Sequence, residues 1–125
     1  MKQIFVFGSN LAGIHGAGAA RVALKLHGAI PGEGFGLYNE SYAIPTKDQN
    51  IESFTLNQVR YYVNCFVEDA RRCPHMAFKV TRIGCGLAGF KDEDIAPMFV
   101  NAGVNCEFDS AWKPWLPGKR FWGTF

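Results

Sequence analysis

The chain has 125 residues, of which 48% are hydrophobic and 19% charged, with a net charge of +2. That length fits one domain around one core, and the composition excludes a disordered, charge-rich chain. The near balance of charge excludes a broad electrostatic footprint for duplex DNA, so contact with nucleic acid is expected only through a pocket.

The first predicted element is a strand over Ile4–Phe7 in "KQIFVFGSN", apolar on both faces and stopped at Gly8. In "GAGAARVALKLHGA", Ala20, Ala23, Leu24 and Leu26 outline a helix with a small-residue face, which Gly28 terminates. "IPGEGFGLYNE" has glycines at 32, 34 and 36 beside Pro31 and reads as a loop; "SYAIPT" is a short strand. The clearest helix follows, with Thr55 and Gln58 as a capping box, an apolar stripe of Leu56, Val59, Val63, Phe66 and Ala70, and Pro74 just past its end. "MAFKVTRIG" is a third strand, "KDEDIAPMFVNAG" a short helix with Asp92, Glu93 and Asp94 at its positive end, and "NCEF" a last strand. The tail, residues 111–125, is too aromatic for a disordered end and is expected to pack on the body or on a partner.

Cys65, Cys73, Cys85 and Cys106 form no C-x-x-C pair and follow no signal-like run, the usage of reduced thiols in a cytoplasmic protein. No apolar run approaches the roughly 20 residues needed to cross a bilayer. His15, His27 and His75 have no ligand spacing with cysteines or carboxylates, so no metal site and no cofactor are expected.

Strands alternating with helices predict an α/β fold, layered α/β/α around a mixed, mainly parallel sheet. In such sheets ligands bind at the carboxyl ends of strands, where three glycine-rich loops can gather. "HGAGAA" and "IGCGLAG" both precede predicted helices, and exposed amides in such loops can hold phosphate oxygens. Neither is a nucleotide-binding fingerprint: the third glycine of the dinucleotide motif and the G-K-[ST] of a P-loop are missing. Tight strand-to-helix turns explain either loop alone; two together favour a diphosphate between them. Ser9, Asn10 and His15 lie in or beside the first loop; Asn10 and His15 are placed to meet ribose or phosphate, or else to hold a turn and cap a helix. Lys47, ending the "AIPTK" strand, suits a sugar-aldehyde nucleophile, a phosphate counter-charge or a solvated turn. Cys85 fits a small buried residue better than a reactive thiolate, since no base is assignable to it.

Taken together, "HGAGAARVALKLHGA", "AIPTK" and "TRIGCGLAGFKDEDIAPMF" resemble macrodomains, the ADP-ribose-binding α/β modules, nearest the branch containing the terminal ADP-ribose protein glycohydrolase. The pattern also resembles small phage-related and bacterial macro-like proteins. The resemblance implies that Gly16, Ala17, Gly18 and Ala19 form one phosphate-side loop. It implies that Gly84, Cys85, Gly86 and Leu87 form the second, and that Lys47 is the lysine that attacks the anomeric carbon. Two departures stand out. Where that glycohydrolase has a catalytic aspartate this chain has Ala88, leaving Asp48, Asp92 or Asp94 as substitutes. The family's earlier strand, with its adenine-reading Gly-Asp pair, is missing here, so the fold is expected to be truncated at the N-terminus, with tail aromatics Trp112, Trp115, Phe121 and Trp122 available for stacking.

The expected function is binding of ADP-ribose or a related ribose-diphosphate nucleotide, with weak de-ADP-ribosylation through Lys47. The ligand is expected free, or on a modified protein or nucleic-acid end. The competing expectation is a non-enzymatic interaction module of a phage or mobile element that works through the aromatic tail.

Overall fold

A computed structural model describes residues 1–125. Its six strands are β1 (Lys2–Asn10), β2 (Gly36–Tyr38), β3 (Ser41–Lys47), β4 (Met76–Val80), β5 (Cys106–Asp109) and β6 (Arg120–Gly123). The helices are α1 (Gly18–Leu26), α2 (Leu56–Arg71) and α3 (Asp92–Ile95), the last running into a 3-10 turn at Ala96–Phe99. One sheet contains all six strands in the order β2-β3-β1-β4-β5-β6, parallel throughout except where β2 meets β3. The α/β fold with a mixed, mainly parallel sheet is therefore as the sequence indicates. No helix is long and apolar enough to cross a membrane.

Alternation along the central strands divides the apolar side chains between the two faces. Ile4 and Val6 of β1, with Tyr42 and Ile44 of β3, enter a cluster of 22 buried residues that includes Val59, Val63, Phe66 and Ala70 of α2. Ile95 and Phe99 close the same cluster from α3 and the turn after it. On the opposite face Phe7 and Ala43 meet Ala20 and Ala23 of α1 in a cluster of only five. The small side chains of α1 let it lie close to the sheet.

Local signals set the helix ends. Thr55 accepts from the Gln58 amide while the Gln58 side chain accepts from the Thr55 amide, so the capping box is complete. Gly28, at φ +74°, turns the chain out of α1. Leu56, on the expected stripe, stays 37% exposed and outside the core, whereas Val67 joins it.

Several boundaries differ from expectation; β4 ends at Val80 and α3 at Ile95, both short of their expected spans. β1 extends well beyond Ile4–Phe7, because pairing with β4 from Lys2 and with β3 as far as Asn10 recruits polar residues into the ladder. The end of the expected glycine loop forms β2, an edge strand paired across a turn in which Asn39 takes φ 54°. The tail packs on the body: Trp112 is completely buried against Phe99, and Arg120–Gly123 adds a sixth strand beside β5. Sheet pairing with β5, which tail composition does not encode, makes that strand.

Candidate functional site: a crevice between two amide loops

After β1 the chain passes through α1 to β3 on one side of it; after β4 it passes through α3 to β5 on the other side. These connections lie on opposite faces of the sheet, α1 in the small cluster and α3 in the large one. Adjacent parallel strands whose connections diverge leave a crevice at their carboxyl ends. Here that crevice is a cavity of about 570 Å³, a size suited to a small-molecule ligand. Gly8 brings the loops together: a methyl group on it would lie 3.4 Å from the Gly84 nitrogen.

Runs of small residues line the cavity from both loops, Gly16 to Ala20 on one side and Gly84, Gly86 and Ala88 on the other. No carbonyl or side chain accepts from the N–H groups of Gly16, Ala17, Gly18, Ala19 or Ala20, and α1 has no side-chain cap. Those amides open the positive end of the helix toward the cavity. On the other loop the N–H groups of Gly86, Leu87 and Ala88 are likewise without acceptors. Its shape comes from two returns, Phe90 N–H to the Gly84 carbonyl at 2.9 Å and Gly89 N–H to the Gly86 carbonyl at 3.0 Å. Gly84 and Gly89 have φ of +75° and +80°, the region where glycine escapes the Cβ clash. Gly16, Gly18 and Gly86 have open space where a side chain would stand.

Lys47, Ser9, Asn10, Gly16, Ala17, Gly18, Ala19, Gly84, Cys85, Gly86, Leu87 and Ala88 all line this one cavity. His15 does not. It is 4% exposed, edge-on to Phe7, with Nε2 at 3.2 Å from the Ile30 carbonyl. A carbonyl only accepts, so Nε2 carries the proton and Nδ1 is left without a partner. His15 is a packing residue beneath the loop.

Two other polar side chains at the wall are already engaged. Ser9 Oγ donates to the Gly34 carbonyl. Asn10 bonds Ile14 twice, Nδ2 donating to its carbonyl and Oδ1 accepting from its amide. Both hold the first loop, and the amides beyond them are what the loop presents. Cys85 is half-buried, and burial together with the nearby Asp92 charge pushes its thiol up to about 12, far from thiolate chemistry. Lys47 is half-buried at the end of β3 and forms no salt bridge.

None of the three candidate substitute carboxylates faces the cavity. Asp48 accepts from the amides of Asn50 and Glu52 at 2.8 and 3.0 Å in its own loop. Asp92 accepts from Arg82 Nε and Nη2 at 2.9 and 2.6 Å and from Trp112 Nε1 at 2.7 Å. Asp94 is absent from the wall. The carboxylate that does line the cavity is Asp109, at the end of β5 and 1% exposed. It accepts from the amides of Ala111 and Phe125 and from Thr124 Oγ1. Three strand spacings separate β5 from β3, about 14 Å, so Asp109 stands at the far end of the cavity from Lys47.

Sequence reading also missed Thr46, Thr81, Arg82, Ile14, Ile51 and Phe125, all of which line the cavity. The first three flank predicted strand ends, a signal that was available; so was the acid closing "CEFD". Phe125 arrives only through β6. Of the tail aromatics considered for stacking, none lines the cavity, and Phe125 does so in their place. Comparison of the chain with protein-family models, curated proteins and solved structures gave no match.

Proposed function

We propose that this protein binds ADP-ribose or a related ribose-diphosphate nucleotide in the crevice between the loops after β1 and β4. The observation that carries the proposal is the pair of unclaimed amide runs, Gly16–Ala20 and Gly86–Ala88, facing one cavity. Amides without acceptors at the positive end of a helix favour an anion, and two such walls suit a diphosphate. Lys47 and Phe125 also line the cavity and suit the groups on either side of a diphosphate, a sugar beside the lysine and a planar base against the aromatic ring. The resemblance of the three glycine- and lysine-bearing segments to macrodomains points to the same ligand class.

Binding is the primary activity in this reading. Lys47 forms no salt bridge, and attack on an anomeric carbon would use its unprotonated amine. Ala88 offers no proton transfer, and Asp109 is too distant to replace that help, typically worth about 10²- to 10⁴-fold. Hydrolysis of ADP-ribosylated protein or nucleic-acid ends is therefore expected to be slow and dependent on Lys47.

The test is calorimetric titration with ADP-ribose, with AMP and ribose 5-phosphate as controls. Saturable ADP-ribose binding tighter than either fragment is expected. A Gly86→Asp variant, whose new carboxylate enters open space at the amide wall, should bind at least about tenfold more weakly while melting normally. No binding at millimolar ADP-ribose would refute the proposal.

A further inference from the structure

Outside glycine, only Asn39 and Ile51 occupy the left-handed backbone region, at φ of 54° and 63°. Asn39 sits in the turn between β2 and β3, where asparagine is well suited. Ile51 is β-branched, and for that side chain the conformation is a genuine outlier. Its surroundings impose it. The Asp48 carboxylate accepts from the amides on either side of Ile51, those of Asn50 and Glu52, and the Ile51 amide donates to the Asp48 carbonyl at 3.2 Å. Lys47 and Ser53 pair across the base of the same loop.

An asparagine or glycine at position 51 would satisfy that backbone without strain, so the turn itself does not account for isoleucine. Nor does the core: the residue is 40% exposed and belongs to neither buried cluster. Ile51 lines the cavity, as Lys47 does. Ser53 Oγ donates to the Ala88 carbonyl at 3.2 Å, fastening this loop to the second amide wall. Strained backbone conformations cluster at ligand sites.

We infer that Ile51 is a specificity-determining residue of the site. It packs on the C–H face of the sugar at the Lys47 end of the ligand and keeps water from the lysine amine. The inference rests on the ribose-diphosphate reading of the cavity and adds the group that selects what is joined to the diphosphate at that end.

Ile51→Asn and Ile51→Gly variants, each compared with the parent by thermal melting and by titration with ADP-ribose and with pyrophosphate, test it. Pyrophosphate reaches the amide walls alone. Both variants should melt at or above the parent temperature and bind pyrophosphate unchanged. Their ADP-ribose affinity should fall about tenfold, the loss corresponding to about 55 Å² of apolar contact. Variants that bind ADP-ribose as tightly as the parent overturn the inference alone. Variants that melt well below the parent, or lose both ligands equally, also overturn it, by making Ile51 structural. A parent that binds no ADP-ribose removes the reading of the cavity and this inference with it.

Discussion

Asp92 joins the amide wall after β4 to the packed tail, and replacing it with asparagine measures that connection. Its carboxylate takes two bonds from Arg82 and one from Trp112 Nε1, and its side chain is 22% exposed. Those donors, Arg82 foremost, hold its carboxyl down at about 2, against an ordinary 3.8. At about 1.4 kcal/mol per pH unit the difference corresponds to about 2 kcal/mol of folding stability. Because the folded value is depressed, that stability is complete above the unfolded value near 4 and disappears as pH falls toward 2. The side-chain amide of an Asp92→Asn variant does not titrate and can keep the Trp112 bond, so the variant resembles the protonated parent. Urea unfolding followed by circular dichroism should separate the two proteins by about 2 kcal/mol at pH 6.5 and bring them together near pH 2. A gap of constant size across that range would show that the Arg82 pair contributes nothing through charge and would refute the reasoning.

Two further outcomes are expected. Phe125→Ala should weaken ADP-ribose binding about tenfold, as loss of a stacked aromatic face predicts, and leave ribose 5-phosphate binding unchanged; calorimetry in which both ligands weaken equally would remove the base from that ring. Gly34→Ala puts a methyl group 2.0 Å from the Asn10 carbonyl oxygen and should destabilise the protein by more than about 2 kcal/mol in urea unfolding. A neutral result there would mean that the loop bearing Gly34 is not pressed against the first amide loop.

Both glycine loops, the lysine ending β3 and the capped helix α2 were legible because their signals are local. A capping box spans four residues, and a glycine run after an apolar strand marks a turn without reference to the rest of the chain. His15 was not legible. Its position in "GIHGAG" suits a phosphate ligand, but the ring turns inward onto Phe7 and the Ile30 carbonyl. Asn10 and Ser9 line the cavity, yet their side chains are engaged by Ile14 and Gly34, partners that local sequence pattern does not assign. Asp109 belongs with them, since an acid at the end of a strand becomes part of a cavity only when its strand takes a place in the sheet.

The sequence by itself determined the α/β alternation, the turns that expose backbone amides and the residue types beside them, since periodicity and glycine content act over a few residues. Tertiary structure alone decided that β1 and β4 lie side by side with connections on opposite faces, which opens the crevice. It also decided that Arg120–Gly123 pairs with β5 and carries Phe125 to the cavity, its ring against Phe5 of β1. Strand order is set by which apolar faces bury together across the whole chain, a condition that short stretches do not carry.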